Sequence, residues 1–85
     1  PSDRLLADCY RNALLLADDG GLTSVAFPAI STGIFGYPMT EAAHVAVAAV
    51  AEMATRMNSV RLVRFVLRDQ DAVRLHEDAF RAITG

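Results

Sequence analysis

Phe27-Pro28-Ala29-Ile30-Ser31-Thr32-Gly33-Ile34-Phe35-Gly36-Tyr37-Pro38 decides how the rest of this 85-residue chain is read. The apolar run 25–30 reads as a buried strand. It gives way to a Ser-Thr pair, two glycines that bracket Ile34 and Phe35, and a proline, and an alanine-rich helical pattern follows at once. A strand, a glycine-punctuated turn and a helix start together make a place for an anion. Glycine lets the backbone approach closely and adopt positive φ, and the first turn of a helix offers unpaired N–H groups with partial positive charge. Pro28 cannot donate to a ladder, so its strand is expected at a sheet edge or with a bulge.

Working outward, residues 3–17 carry Leu5, Leu6, Cys9, Ala13 and Leu16 at spacings of three and four. That predicts a helix with Cys9 on its apolar stripe. Ser2 or Asp3 can cap its start, and Gly20-Gly21 can end it. Residues 40–57 predict a second helix, with Thr40 as N-cap and Glu41 suited to the first turn. It is apolar nearly all round, so it should be packed on more than one side, with Met53 and Met57 filling the core. Residues 60–67, rich in Val, Leu and Phe, predict a second strand. Arg64 within it implies that one face or end meets solvent. Residues 69–83 predict a third helix, capped by Asp69, with Ala72, Leu75, His76, Ala79, Phe80 and Ile83 on or near one stripe. The order is α-β-α-β-α, and two strands joined by a helix form a parallel, right-handed crossover. The expected class is α/β, a three-layer α/β/α arrangement with two parallel strands. Its ligand loop lies at their carboxyl ends, where open α/β sheets place ligands.

Composition narrows the function classes. The chain is 53% hydrophobic and 21% charged, a packing chain of one domain or less. Net charge is −2, lysine is absent and the arginines are spread along the chain, which argues against a nucleic-acid surface. Cys9, the single cysteine, excludes an internal disulfide. The longest apolar stretch, 42–51, contains His44 and is too short to span a bilayer, and no signal peptide is visible. A soluble, cytoplasmic protein without membrane contact is expected. His44 and His76 lie at no metal-ligand spacing and are expected at the surface or boundary, so neither a metal nor a cofactor is expected. Ser31 lacks the Gly-x-Ser-x-Gly elbow, which leaves loop hydrogen bonding as its role and no residue assigned to catalysis.

The run 27–38 resembles, almost letter for letter, the second ligand loop of macrodomains, the modules that bind ADP-ribose. The likeness extends through Leu5-Leu6, the segment 9–14, the alanine-rich 41–50, and Phe65-Val66-Leu67 ahead of Asp69. It is most similar to the branch that hydrolyses mono-ADP-ribose from proteins, as an ADP-ribosylglutamate or ADP-ribosylaspartate hydrolase, and that deacetylates O-acetyl-ADP-ribose. The resemblance implies that Ser31, Thr32, Gly33, Ile34 and Gly36 hold the pyrophosphate. It makes Phe35, where the family more often has tyrosine, the wall of the distal ribose. Arg68 stands where the family borders the adenine, and its planar guanidinium can stack on a base. The resemblance also implies that residues 1–85 are the C-terminal half of a macrodomain. The N-terminal half would carry the aspartate that reads the adenine amine, an Asn-Ala-Ala-Asn segment and a glycine-rich first loop. Without it the chain is expected to be inactive alone and to require that half or self-association. The expected partner is ADP-ribose or an ADP-ribosylated protein. The alternatives are a reader that binds ADP-ribose without cleaving it, and a structural fragment without independent function.

Overall fold

Helix α1 (Ser2–Asp19) is held by Leu6, Tyr10, Leu14 and Ala17, of which Tyr10 and Leu14 are fully buried. Burying side chains of this size contributes about 1.5–3 kcal/mol each. The structure is a computed structural model that describes residues 2–28 and 38–85, with Ser2 as backbone only. The helix is as predicted, and of the expected stripe Leu6 is buried and Ala13 packs against the core, but Cys9, Leu5 and Leu16 are exposed. Tyr10 sets how far round the buried arc turns, because its ring meets Phe27 edge-on at 4.9 Å and Phe65 at 6.1 Å.

The chain leaves α1 through Gly21, whose φ of +77° suits glycine. Leu22 N–H donates to Ala17 O and Gly21 N–H to Asp18 O, the paired bonds of a Schellman ending. Strand β1 (Ser24–Pro28) follows, then α2 (Met39–Ala54), β2 (Leu62–Val66) and α3 (Gln70–Thr84). The two strands are parallel, in unbroken register from Ser24 opposite Leu62 to Pro28 opposite Val66. Pro28 therefore sits at the end of a strand that has one neighbour among the described residues, in register without a bulge.

Side chains alternate across this sheet. Val25, Phe27, Val63 and Phe65 face the helices, whereas Ser24, Ala26, Pro28, Leu62, Arg64 and Val66 are exposed. Tyr10 of α1 and His76 of α3 both meet Phe65, and α2 packs between them against α1 and α3. The α/β class and the parallel pair are as expected, and α2 is indeed packed on more than one side. Of the three layers expected, the described residues form two, with all three helices on one face. Arg64 on the opposite face meets solvent, as its charge implies.

Three smaller expectations change. Thr40 lies inside α2, and the N-cap is Pro38, which makes no side-chain cap bond. His76, expected at the surface or boundary, is buried. Its Nδ1 lies 2.9 Å from Ala72 O, placed to donate, and its ring lies 5.1 Å from Phe65. Phe80, expected on the stripe, is exposed. Asp69 caps α3 as predicted, accepting from Ala72 N–H at 2.8 Å.

Candidate functional site

Parallel register brings the carboxyl ends of β1 and β2 side by side, with Pro28 opposite Val66. Because each strand is followed by a helix, the N-termini of α2 and α3 open at this same end. The two starts differ. At α3 the Asp69 carboxylate already fills the first turn, and Asp71 is held by Arg74 at 2.7 Å. At α2 the cap residue is extended, φ −60° and ψ 129°, and Pro38 offers only its carbonyl, which accepts from Ala42 N–H at 2.9 Å. Among the described residues no side chain supplies an acceptor for the N–H groups of the first turn. A helix end of this kind attracts an anion, with Glu41 as the one acidic residue in its first turn.

Of the residues expected to form the site, Ser31, Thr32, Gly33, Ile34, Phe35 and Gly36 lie outside the described residues, between β1 and α2. Arg68 is described and exposed, in the short connection between β2 and α3, at the strand ends as expected.

Two grooves are lined by other residues. One, of about 420 Å³, runs between α1 and α2 past Arg4, Arg11, His44 and Glu52. Its central cation is already spent: Arg11 grips Glu52 through Nε and Nη2, both at 3.0 Å, and Asp8 through Nη1 at 2.9 Å. The Glu52 bonds, and then the Asp8 bond, raise the Arg11 pKa, and the Arg11 bond in turn lowers that of Glu52. The other groove, of about 590 Å³, lies among α2, β2 and α3 and is almost wholly apolar. Neither offers the chemistry of the strand ends toward a phosphate.

A polar cluster that the sequence reading passed over holds the connection before β2. The Asp18 carboxylate accepts from the N–H groups of Asn58 at 3.0 Å, Ser59 at 2.7 Å and Val60 at 2.9 Å, and from Ser59 Oγ. Those backbone bonds, Asn58 first, draw its pKa from 3.8 down to about 2. An aspartate at a helix C-terminus opposes the helix dipole, and this placement was the one signal in the sequence that it has another task.

Among the described residues no helix is long and apolar enough to cross a membrane. The Macro domain family profile matches residues 1–46. The O-acetyl-ADP-ribose deacetylase of Salmonella typhimurium is 49% identical over 72 residues, which are 85% of this chain and 40% of that protein. The solved Oceanobacillus iheyensis macrodomain with ADP superposes with a TM-score of 0.89 at 38% identity, covering 95% of this chain and 42% of that one. The Trypanosoma brucei macrodomain in complex with ADP-ribose gives 0.84 at 28% identity, over 89% of this chain and 33% of that one. The chain thus spans about two fifths of the length of the curated relative. With a family profile over more than half of its length and solved macrodomains that superpose on 95% of it at 38% identity, this chain belongs to the macrodomain family.

Proposed function

We propose that this chain supplies the pyrophosphate and distal-ribose side of an ADP-ribose site, and that in a completed domain the site hydrolyses O-acetyl-ADP-ribose or ADP-ribose esters on protein carboxylates. The reading rests above all on the 49% identity to an O-acetyl-ADP-ribose deacetylase across most of this chain. The N-terminus of α2, which no described side chain caps and which follows residues 31–36 in sequence, supports it. In this reading the backbone N–H groups of Ser31, Thr32, Gly33, Ile34 and Gly36 bind the diphosphate, helped by the partial charge of α2. Phe35 covers the distal ribose, and Arg68 borders the adenine. The chain's share of catalysis is positioning: a fixed diphosphate holds the ester at the other end of the ligand in one orientation toward water. Water adds to the ester carbonyl, and the acyl group leaves as a carboxylic acid while ADP-ribose is released.

Residues 1–85 form, in this proposal, the C-terminal half of the domain, with no catalytic residue of their own. The test joins the chain to the remaining part of a related macrodomain and titrates it calorimetrically with ADP-ribose, then assays acetate release from O-acetyl-ADP-ribose. Binding with turnover supports the hydrolase. Binding without turnover makes the domain a reader, and no binding removes the proposal.

A further inference from the structure

Arg68 stands against the local chemistry of its position. It immediately precedes Asp69, the N-cap of α3, and a fixed cation at a helix N-terminus opposes the helix dipole. Asp18, at the C-terminus of α1, breaks the same rule with the opposite charge, and three backbone N–H groups answer it. Nothing answers Arg68. It is exposed and, among the described residues, makes no hydrogen bond or ion pair. The carboxylates nearest to it in sequence are engaged elsewhere: Asp69 accepts from Ala72 N–H at 2.8 Å, and Asp71 is held by Arg74 at 2.7 Å. A residue that breaks a local rule without a structural return is where function is expected.

Its place in the sheet gives the role. Arg68 follows β2 at the carboxyl ends of the strands, and β1, which leads into residues 31–36, pairs with β2 at a spacing of about 4.8 Å. In the proposed function the diphosphate is held on the β1 side and the adenosine lies toward β2. The loop then meets the diphosphate charges, and adenine is uncharged at neutral pH, so ADP-ribose itself brings no anion to Arg68. Open α/β sites read an adenosine ribose at their strand ends in one of two ways. A carboxylate takes the free 2′-hydroxyl, or an arginine takes a 2′-phosphate. The connection between β2 and α3 holds a free guanidinium, while both of its described carboxylates are engaged. A guanidinium presents a rigid fork of donors that matches phosphate, and a phosphate monoester carries nearly two negative charges at pH 7. We infer that Arg68 is a specificity-determining residue that directs this site toward ADP-ribose carrying an additional phosphate on the 2′-hydroxyl of its adenosine. The inference rests on the ligand placement of the proposed function and adds the substrate class.

The experiment uses the chain joined at its amino end to the remaining part of a related macrodomain. Calorimetry compares ADP-ribose with ADP-ribose 2′-phosphate at low salt. The 2′-phosphate should bind about tenfold tighter or more, as a charge-assisted fork to phosphate does. The preference should shrink as salt is raised, because the contact is exposed and screened. Arg68→Gln should bring the ratio of the two affinities to about one. Arg68→Phe should do the same, since it keeps a flat face for the base and loses the charge. A melt without ligand reads any role in the fold: removing a cation that opposes the α3 dipole should leave the melting temperature unchanged or raise it. Equal affinities in the parent overturn the inference, as does a preference that survives Arg68→Gln or a melting temperature that Arg68→Gln lowers by several degrees. Equal and measurable affinities would leave the proposed function standing, whereas failure to bind either ligand removes both.

Discussion

Gly33 is the position where a single side chain should do most damage to ligand binding. In the joined protein, Gly33→Val is expected to reduce ADP-ribose affinity at least a hundredfold, because a β-branched side chain blocks backbone approach to a phosphate and disfavours positive φ. Ser31→Ala should cost only on the order of 1 kcal/mol, the worth of a neutral hydrogen bond. Calorimetry in which both variants bind like the parent would end the pyrophosphate assignment. Phe35→Ala should weaken ADP-ribose more than ADP, since only ADP-ribose carries a distal ribose for the ring to cover. Equal losses would place Phe35 in the core. Asp18 acts on stability. Its folded-state pKa is lowered to about 2 from 3.8, so its stabilisation is fully present above about 3.8 and lost as pH falls through about 2. Asp18→Asn should therefore lower the melting temperature at neutral pH, and the gap to the parent should shrink between pH 4 and pH 2. Melts showing a pH-independent gap would mean that the carboxylate charge is not what holds residues 58–60.

Elements were legible in the sequence to differing depth. The existence, type and order of all five followed from periodicity and from Gly20-Gly21 and Asp69. Their boundaries were less so: β2 is Leu62–Val66 within the expected 60–67, and α2 stops at Ala54 before the expected 57. The α2 cap was misjudged because Thr40 has the right chemistry, while Pro38 fits by its fixed φ alone. At the other end of α1, an added Cβ on Gly21 would meet no atom within 4 Å, so any cost of Gly21→Ala comes from the backbone. With φ of +77° that cost should be about 1–2 kcal/mol, seen in denaturant unfolding. A neutral result would mean that the Schellman ending contributes little to holding α1 against β1.

Across the whole molecule, the described residues leave both sheet edges and one sheet face without cover. Leu62 and Val66 on that face are 44% and 62% exposed, and Leu5 and Leu16 on α1 are 68% and 74% exposed. Open edges beside apolar surface invite another chain. A chain this short also buries only about 60% of the surface that its unfolded form exposes, leaving little margin. The isolated 85-residue chain is expected to self-associate or to melt without a sharp transition. Sedimentation at low micromolar concentration, read with a thermal melt, checks this. A compact monomer with a sharp, concentration-independent melt would show instead a self-sufficient minimal domain.

The sequence by itself determined the α/β class, the βαβ crossover and, through residues 27–38, the family, because strand, turn and helix signals are local and survive out of context. It also implied, through Arg64, that one face or end of β2 meets solvent, and the structure makes it the face. Only the tertiary structure decided how far round α1 the buried arc turns: the expected stripe of Leu5, Leu6, Cys9, Ala13 and Leu16 keeps Leu6 and Ala13, and the aromatic cluster of Phe27 and Phe65 draws in Tyr10 and leaves Leu5, Cys9 and Leu16 outside. It alone showed Asp18 closing the loop at residues 58–60, about forty positions away in sequence, and all three helices gathered on one face of the sheet. Those outcomes depend on contacts between distant segments, and spacing along a chain carries no record of which distant surface a face will meet.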